Sequence, residues 1–455
     1  MSLIYAITSG LLLASAFPKS NFSIIAWVAL VPFFFAIEKS KNTREAAALG
    51  FTLGMTLFSI NFLWINSLSL YVGKWAYLAW ICLAIFQSIF LLIYSYIIKR
   101  FNITLSIWGA FLWILIEIIR GMGNFGMPGG VIAYSQTIFL PIIQIASFTT
   151  AYGISFLIIL FNISLTKIIF QKNKKGTLSL FLLSLILIFA STIYGFIQLN
   201  KPINNKNTIK IASIQGNIPQ EKKLDPDFNT ENLNIHKKLT LKAAKEAPDI
   251  IIWPETSIPV YLLHNKKFLN EIKNLAKETN SYLIIGTPHY DKNHKIYNSM
   301  AVISPSFEVV SRYDKQQLVP FGEYLPFRFF LYPFLKNTGY YEGEFARGNG
   351  AITIKINNLT IAPAICFEST FPFSIKRRTK EGANIIIVIT NDAWFKTSSA
   401  PYEHFNHAIF RAIENRKFVV QAANTGISGL IDPCGRVIKK LGLNKKGYLV
   451  FNPNY

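Results

Sequence analysis

Hydrophobic positions follow one pattern up to about residue 200 and another beyond it. In the first part, apolar runs cover residues 2–17, 23–37, 46–65, 75–98, 102–119, 140–166 and 177–196. A stretch of roughly 20 apolar residues is what an α-helix needs to cross a bilayer. About seven membrane spans are therefore expected, the first two short enough to pack as a tilted hairpin. From Thr208 the pattern turns into short β-branched stretches separated by turn residues: Ile209–Ile214, Asp249–Trp253, Tyr282–Gly286, Met300–Ser304, Val309–Tyr313, Thr360–Ile365, Asn384–Thr390, Val419–Ala423 and Leu430–Asp432. Helical periodicity lies between some of them, at Phe228–Ala247, Lys267–Thr279 and Tyr402–Arg416. Strands alternating with helices, followed by paired strands, predict an α/β sandwich with two central sheets. The expected organisation is an α-helical membrane domain over residues 1–200 and a second domain over 201–455. They join in Leu199-Asn200-Lys201-Pro202-Ile203-Asn204-Asn205.

Composition supports the lipid setting. Hydrophobic residues make up 51% of the 455-residue chain and Phe alone accounts for 38 positions, well above the norm for soluble proteins. Residues 1–200 carry 12 Lys/Arg against three Glu and no Asp, and residues 201–455 carry 34 Lys/Arg against 21 acidic residues. No basic cluster is interleaved with a nucleic-acid reading motif, so the net charge of +22 fits anionic lipid headgroups rather than nucleic acid. With the N-terminus inside, cytoplasmic loops hold Lys39, Lys41, Arg44, Lys99, Arg100, Lys167, Lys172, Lys174 and Lys175, against Lys19, Lys74 and Arg120 outside. The positive-inside rule and an odd number of spans then place the second domain outside the cytoplasm, periplasmic in a bacterium with two membranes. The first run lacks a basic flank and a small-residue cleavage site, so it reads as retained.

Chemistry concentrates at the ends of three apolar runs. Ala364-Ile365-Cys366-Phe367-Glu368-Ser369 sets a thiol beside a carboxylate where a strand gives way to a polar turn. Ile251-Ile252-Trp253-Pro254-Glu255-Thr256 ends in a carboxylate behind a strand-stopping proline. Tyr313-Asp314-Lys315-Gln316-Gln317-Leu318-Val319-Pro320-Phe321-Gly322-Glu323 carries a lysine and, eight residues on, a second carboxylate. Taken singly, each has a plain reading as a helix cap, a solvated lysine or a core thiol. Three cysteines, Cys82, Cys366 and Cys434, make no disulfide framework. His404 and His407 lack a third ligand in view, so no metal site is expected. Glu117 and Arg120, one helical turn apart, are either a site facing a lipid headgroup or a structural pair closing a helix end.

The order Glu255, Lys315, Cys366 resembles the nitrilase, or carbon–nitrogen hydrolase, superfamily over residues 208–452. Together with the preceding spans, Ile214-Gln215-Gly216-Asn217-Ile218-Pro219-Gln220, Asn391-Asp392-Ala393-Trp394-Phe395 and Glu414-Asn415-Arg416 resemble the apolipoprotein N-acyltransferase family. That resemblance implies an α-β-β-α sandwich in which Glu255 is the general base, Lys315 lowers the thiol pKa and stabilises the oxyanion, and Cys366 is the nucleophile. Glu323 would orient Lys315 or the base, and Glu368 would hold the same network from the other side. It also implies a cofactor-free, ping-pong transfer. An acyl chain leaves a phospholipid, typically phosphatidylethanolamine, forms a Cys366 thioester, and passes to the amine of a diacylated apolipoprotein. Trp394 and Phe367 are candidate pocket residues. The run Tyr324 to Leu335, with Phe329, Phe330 and Arg328, is expected to dip into the membrane interface, with packing on the sandwich as the alternative. Two departures stand out: Phe367 replaces the family's usual Tyr, and Leu224 its usual Trp. Related enzymes close with another span, whereas this chain stops at Asn452-Pro453-Asn454-Tyr455, as a natural short form or a truncated one. A membrane-tethered amidase and a catalytically dead binding or transport protein are the alternatives.

Overall fold

The computed structural model describes residues 1–171, 176–203, 208–336, 344–350 and 352–454. Lys172, Lys174, Lys175, Asn204 and Asn205, which carried part of the topology and boundary argument, lie outside the described residues. The chain divides into two compact units, Met1–Lys201 with Ser398–Asn406, and Pro202–Thr397 with His407–Tyr455.

The first unit is helical. Three of its described helices are long and apolar enough to cross a membrane: Trp75–Arg100, Ala146–Phe170 and Thr177–Leu199. A fourth span is reached by counting Thr43–Asn61 with Leu63–Val72, a pair bent by 46°. The other expected runs form shorter helices. Ser2–Ser15 and Ile107–Arg120 have 14 residues each, roughly 21 Å at 1.5 Å per residue, short of a hydrocarbon core of about 30 Å. Val31–Lys39 has nine residues and opens with a proline in its first turn. Apolar content counts residues, whereas a span needs unbroken rise. Close packing relies on small residues: a Cβ on Gly50 would lie 2.3 Å from the Leu91 carbonyl oxygen and 2.2 Å from Ser95 Oγ, so only glycine lets Thr43–Asn61 approach Trp75–Arg100.

In the second unit the described strands are β1 (Ile211–Gln215), β2 (Ile250–Ile252), β3 (Tyr282–Tyr290), β4 (Ile296–Ile303), β5 (Val309–Asp314), β6 (Ile354–Ile356), β7 (Leu359–Ile365), β8 (Ile385–Thr390), β9 (Phe418–Ala423), β10 (Ser428–Ile431), β11 (Val437–Leu441) and β12 (Gly447–Phe451). They form two six-stranded sheets, ordered β12-β1-β2-β3-β4-β5 and β11-β10-β9-β8-β7-β6. Strands β1, β2 and β3 run parallel, as do β7, β8 and β9, and the outer pairs are antiparallel. Between the sheets lie Ile211, Ile252, Ile284, Val302, Ile361, Ile387 and Val420, all fully buried. Ile251 and Leu283, on the other face of the first sheet, pack with Leu233 and Leu275 from helices Asn229–Ala244 and Lys266–Thr279. Burial on both faces explains the uninterrupted isoleucine runs of β2 and β8. In Lys266–Thr279, buried Phe268, Ile272, Leu275 and Ala276 recur at helical spacing. The Asn265 side chain caps its start by accepting from Phe268 N at 3.2 Å.

Candidate active site

Three parallel strand ends and one hairpin deliver the polar groups. Pro254 ends β2 and sets Glu255 beyond its tip. A Cβ on Gly286 of β3 would stand 2.4 Å from the Pro254 carbonyl oxygen and 2.6 Å from Glu255 Cα, so the turn that bears Glu255 crosses β3 in space that only glycine leaves. Lys315 follows β5 and its N–H donates to the Asn298 carbonyl on β4 at 2.8 Å. Its side chain is 1% exposed. Lys315 Nζ lies 2.8 Å from Glu323 Oε1 and 3.8 Å from Glu255 Oε1. Asn298 Nδ2 bridges the two carboxylates, donating to Glu255 Oε1 at 2.8 Å and to Glu323 Oε1 at 3.0 Å. The second oxygen of each acid is held by main chain: Asn391 N donates to Glu255 Oε2 at 2.8 Å and Val319 N to Glu323 Oε2 at 2.9 Å. These bonds fix both carboxylates as acceptors around one ammonium group.

Cys366 leaves the end of β7 in a left-handed conformation, φ +53°, a strained position for a residue with a side chain. It is half-buried. Burial pushes its thiol well above the ordinary value, Glu255 pushes the same way, and Lys315 pulls against both. Lys315 therefore favours ionisation, as expected of it, but burial and Glu255 outweigh it and hold the thiol pKa up. Burial would strip the proton from Lys315, but the charges of Glu323 and then Glu255 overcome this and keep its pKa raised.

Glu368 belongs to a different network from the one expected. Its Oε2 accepts from Ile365 N at 2.9 Å, and its Oε1 from Tyr313 Oη at 2.7 Å, Gln316 N at 2.8 Å and Gln317 N at 3.0 Å. Arg378, fully buried like Glu368, pairs with it at 3.1 Å. The carboxylate thus ties the turn that carries Cys366 to the loop that carries Lys315. Burial alone would raise its pKa, but Arg378 and the donors Tyr313 Oη, Ile365 N and Gln316 N hold it below the usual carboxylate value.

The remaining expected residues are placed as follows. Phe367 is half-buried and meets Phe371 edge-on at 4.9 Å. Trp394 is half-buried in the single turn Asp392–Phe395 after β8. Phe329 and Phe330 are 85% and 68% exposed on the helix Arg328–Leu335. Arg328 pairs with Glu344 and lies 4.4 Å over the Tyr332 ring. Glu117 and Arg120 are buried in the first unit. Glu117 Oε1 accepts from Ile132 N at 3.1 Å, and Arg120 Nη1 donates to Gln87 Oε1 at 3.0 Å and the Gly129 carbonyl at 2.6 Å.

Sequence reasoning passed over Asn298, Arg378 and Lys223. Asn298 sits inside a strand and Arg378 in a run of charges, Lys376-Arg377-Arg378, where nothing local marks the one that is buried. Lys223 is 2% exposed and donates to the Glu255 carbonyl at 2.7 Å.

Comparison with known proteins agrees with this architecture. The family profile described as Carbon-nitrogen hydrolase matches residues 210–452, and the Apolipoprotein N-acyltransferase N-terminal domain matches residues 9–164. The chain is 36% identical over 450 residues to a protein of Geobacter metallireducens named apolipoprotein N-acyltransferase, covering 95% of this chain and 85% of that one. Proteins of the same name are 33% identical in Rickettsia prowazekii, over 98% of this chain and 90% of the relative, and 31% identical in Aquifex aeolicus, over 98% and 97%. Among solved structures, Saccharomyces cerevisiae Nit3, a member of branch 10 of the nitrilase superfamily, aligns at 19% identity with a TM-score of 0.44, covering 55% of this chain and 90% of that one.

Proposed function

This chain belongs to the apolipoprotein N-acyltransferase family, and we propose that it moves an acyl chain from phosphatidylethanolamine through a Cys366 thioester to the N-terminal amine of diacylated lipoproteins. The observation that supports this most directly is the buried knot of Glu255, Lys315, Glu323 and Asn298, in which Glu255 and Lys315 act electrostatically on Cys366. Such a knot suits a neutral thiol that gives up its proton only as it attacks. Glu255 takes the proton while sulfur adds to the ester carbonyl. The Lys315 ammonium and the main-chain N–H of Phe367 receive the oxyanion. Collapse expels the lysophospholipid alkoxide, which takes the proton from Glu255 and leaves the thioester. In the second half, the lipoprotein amine attacks the thioester carbonyl, Glu255 removes a proton from the nitrogen, and Cys366 departs with it as the thiol.

The exposed aromatic face of Arg328–Leu335 is read as the part that enters the lipid interface beside the donor, with Arg328 at headgroup level. Catalysis is assigned to the outer side of the cytoplasmic membrane, a reading that the charge bias of the loops supports when the number of spans is odd. Glu117 and Arg120 are assigned to bracing the 127–132 loop of the first unit.

Mass spectrometry of the purified protein mixed with phosphatidylethanolamine tests the reading. A hydroxylamine-sensitive acyl adduct on Cys366 is expected, absent in Cys366→Ser and discharged by a diacylated lipopeptide. Release of free fatty acid with no transfer to the lipopeptide would make the protein a hydrolase in which water takes the acyl group, and failure of the wild type to acquire any adduct would remove the acyl-transfer reading.

A further inference from the structure

Counting charges around Cys366 exposes an imbalance. Glu255 and Glu323 both face the ammonium of Lys315, and Asp392 joins Glu255 in opposing ionisation of Cys366, so acidic groups outnumber that ammonium beside a sulfur that must become negative. A buried charge needs compensation nearby. It comes from the helix Gln220–Leu224. Its Lys222 is solvent-facing and pairs with Glu231 at 3.3 Å, both about half exposed. Its Lys223 is buried and bonds the main-chain carbonyl of Glu255 at 2.7 Å. The same short helix reaches the base from a second side. Gln220 Oε1 accepts from Asn391 Nδ2 at 2.8 Å, and Asn391 N donates to the Glu255 carboxylate at 2.8 Å.

We propose that Lys223 is a positioning residue of the acyl-transfer site. Its ammonium fixes the main chain of Glu255 and supplies the second positive charge of the buried cluster, so that thioester formation requires Lys223 to be protonated. The inference rests on the acyl-transfer reading above. The titratable groups that act on Lys223 are Glu255 and Cys366, and it in turn acts on His236. Burial drives the Lys223 pKa down to about 7, with Glu255 and Cys366 pulling it upward. His236, stacked on Trp253 at 4.9 Å, is held neutral by burial at a pKa of about 4, so it adds no charge at neutral pH. Lys223 therefore changes charge within the working range while Lys315 does not.

The test follows initial rates of Cys366 acylation by phosphatidylethanolamine in the full-length protein, from about pH 5 to 9, with thermal unfolding of every variant measured alongside. The wild-type rate should fall as pH rises through about 7, where Lys223 loses its proton. Lys223→Met should be slower by about a hundredfold at the acid end, the scale of a misplaced catalytic group, and should lack that descending limb. Lys223→Arg keeps the charge at all these pH values, so it should stay within about tenfold of wild type and also lose the limb. A Lys223→Met protein within about threefold of wild type, or one that keeps the descending limb, overturns the proposal. If Lys223→Met does not fold, Lys223→Arg decides: a folded but inactive protein, or one with the wild-type limb, overturns it. Absence of any adduct in the wild type at every pH would instead defeat the acyl-transfer reading itself.

Discussion

Replacing Glu368 by Gln changes little in shape but asks an amide to do what a carboxylate does in the structure. Oxygen Oε1 accepts from Tyr313, Arg378 and two main-chain N–H groups, while Oε2 accepts from Ile365 N. Whichever way the amide is turned, its NH2 meets donors. At 3.1 Å and an effective dielectric of 20, the attraction to Arg378 is about 5 kcal/mol before desolvation is subtracted. Breaking a buried pair from one side costs about 3–5 kcal/mol, which lowers the unfolding midpoint of a domain this size by about 10 °C. Because Glu368 anchors both the Cys366 turn and the Gln316 amide next to Lys315, acylation of Cys366 should also slow by about a hundredfold. The folded pKa of Glu368 lies below its usual value. Its contribution is thus fully present above the unfolded pKa of about 4.3 and fades as pH falls through the folded one. Wild type and Glu368→Gln should accordingly differ most near neutrality and converge in acid. Thermal unfolding in detergent across pH, paired with mass spectrometry of the Cys366 adduct, measures both effects. A variant that loses acylation while unfolding at the wild-type temperature would refute the reasoning, since it would place Glu368 in the chemistry rather than in the scaffold.

Three further outcomes are expected. Phe329→Ser with Phe330→Ser should slow Cys366 acylation from phospholipid vesicles by about tenfold or more while leaving acylation by a short soluble ester near wild type; equal losses on both donors would show that the helix does not serve lipid entry. Gly286→Ala forces a Cβ into the Pro254–Glu255 turn and should reduce acylation by about a hundredfold, whereas wild-type rates in this variant would mean that the turn can shift freely. Alkylation of Cys366 by iodoacetamide, with Cys82 and Cys434 replaced, should keep accelerating beyond pH 9, because burial and Glu255 raise the thiol pKa; a plateau near neutrality would reveal a resting thiolate.

Local pattern determined a good deal of this molecule. Apolar β-branched runs ending in Pro or polar turns placed β2, β7 and β8 within one or two residues, because a strand buried on both faces must be written as a continuous hydrophobic stretch. The same logic put Glu255 and Cys366 at strand ends, since a charged or reactive group cannot sit inside such a run. Strands β6, β11 and β12 escaped notice. The exposed positions of Val437–Leu441, at the rim of the second sheet, leave no hydrophobic run to read. Hydropathy also does not see where a helix breaks, as it does between Asn61 and Leu63. Tertiary structure alone chose among equivalent neighbours: Lys223 rather than Lys222 turns inward, and Arg378 rather than Arg377 is buried. It also separated Glu368 from the carboxylates of Glu255 and Glu323 and brought Gln220 to Asn391 across 171 positions. Hydrophobic periodicity is a short-range signal of which face is buried, whereas the partner of a buried polar group is set by how two sheets register across the whole domain.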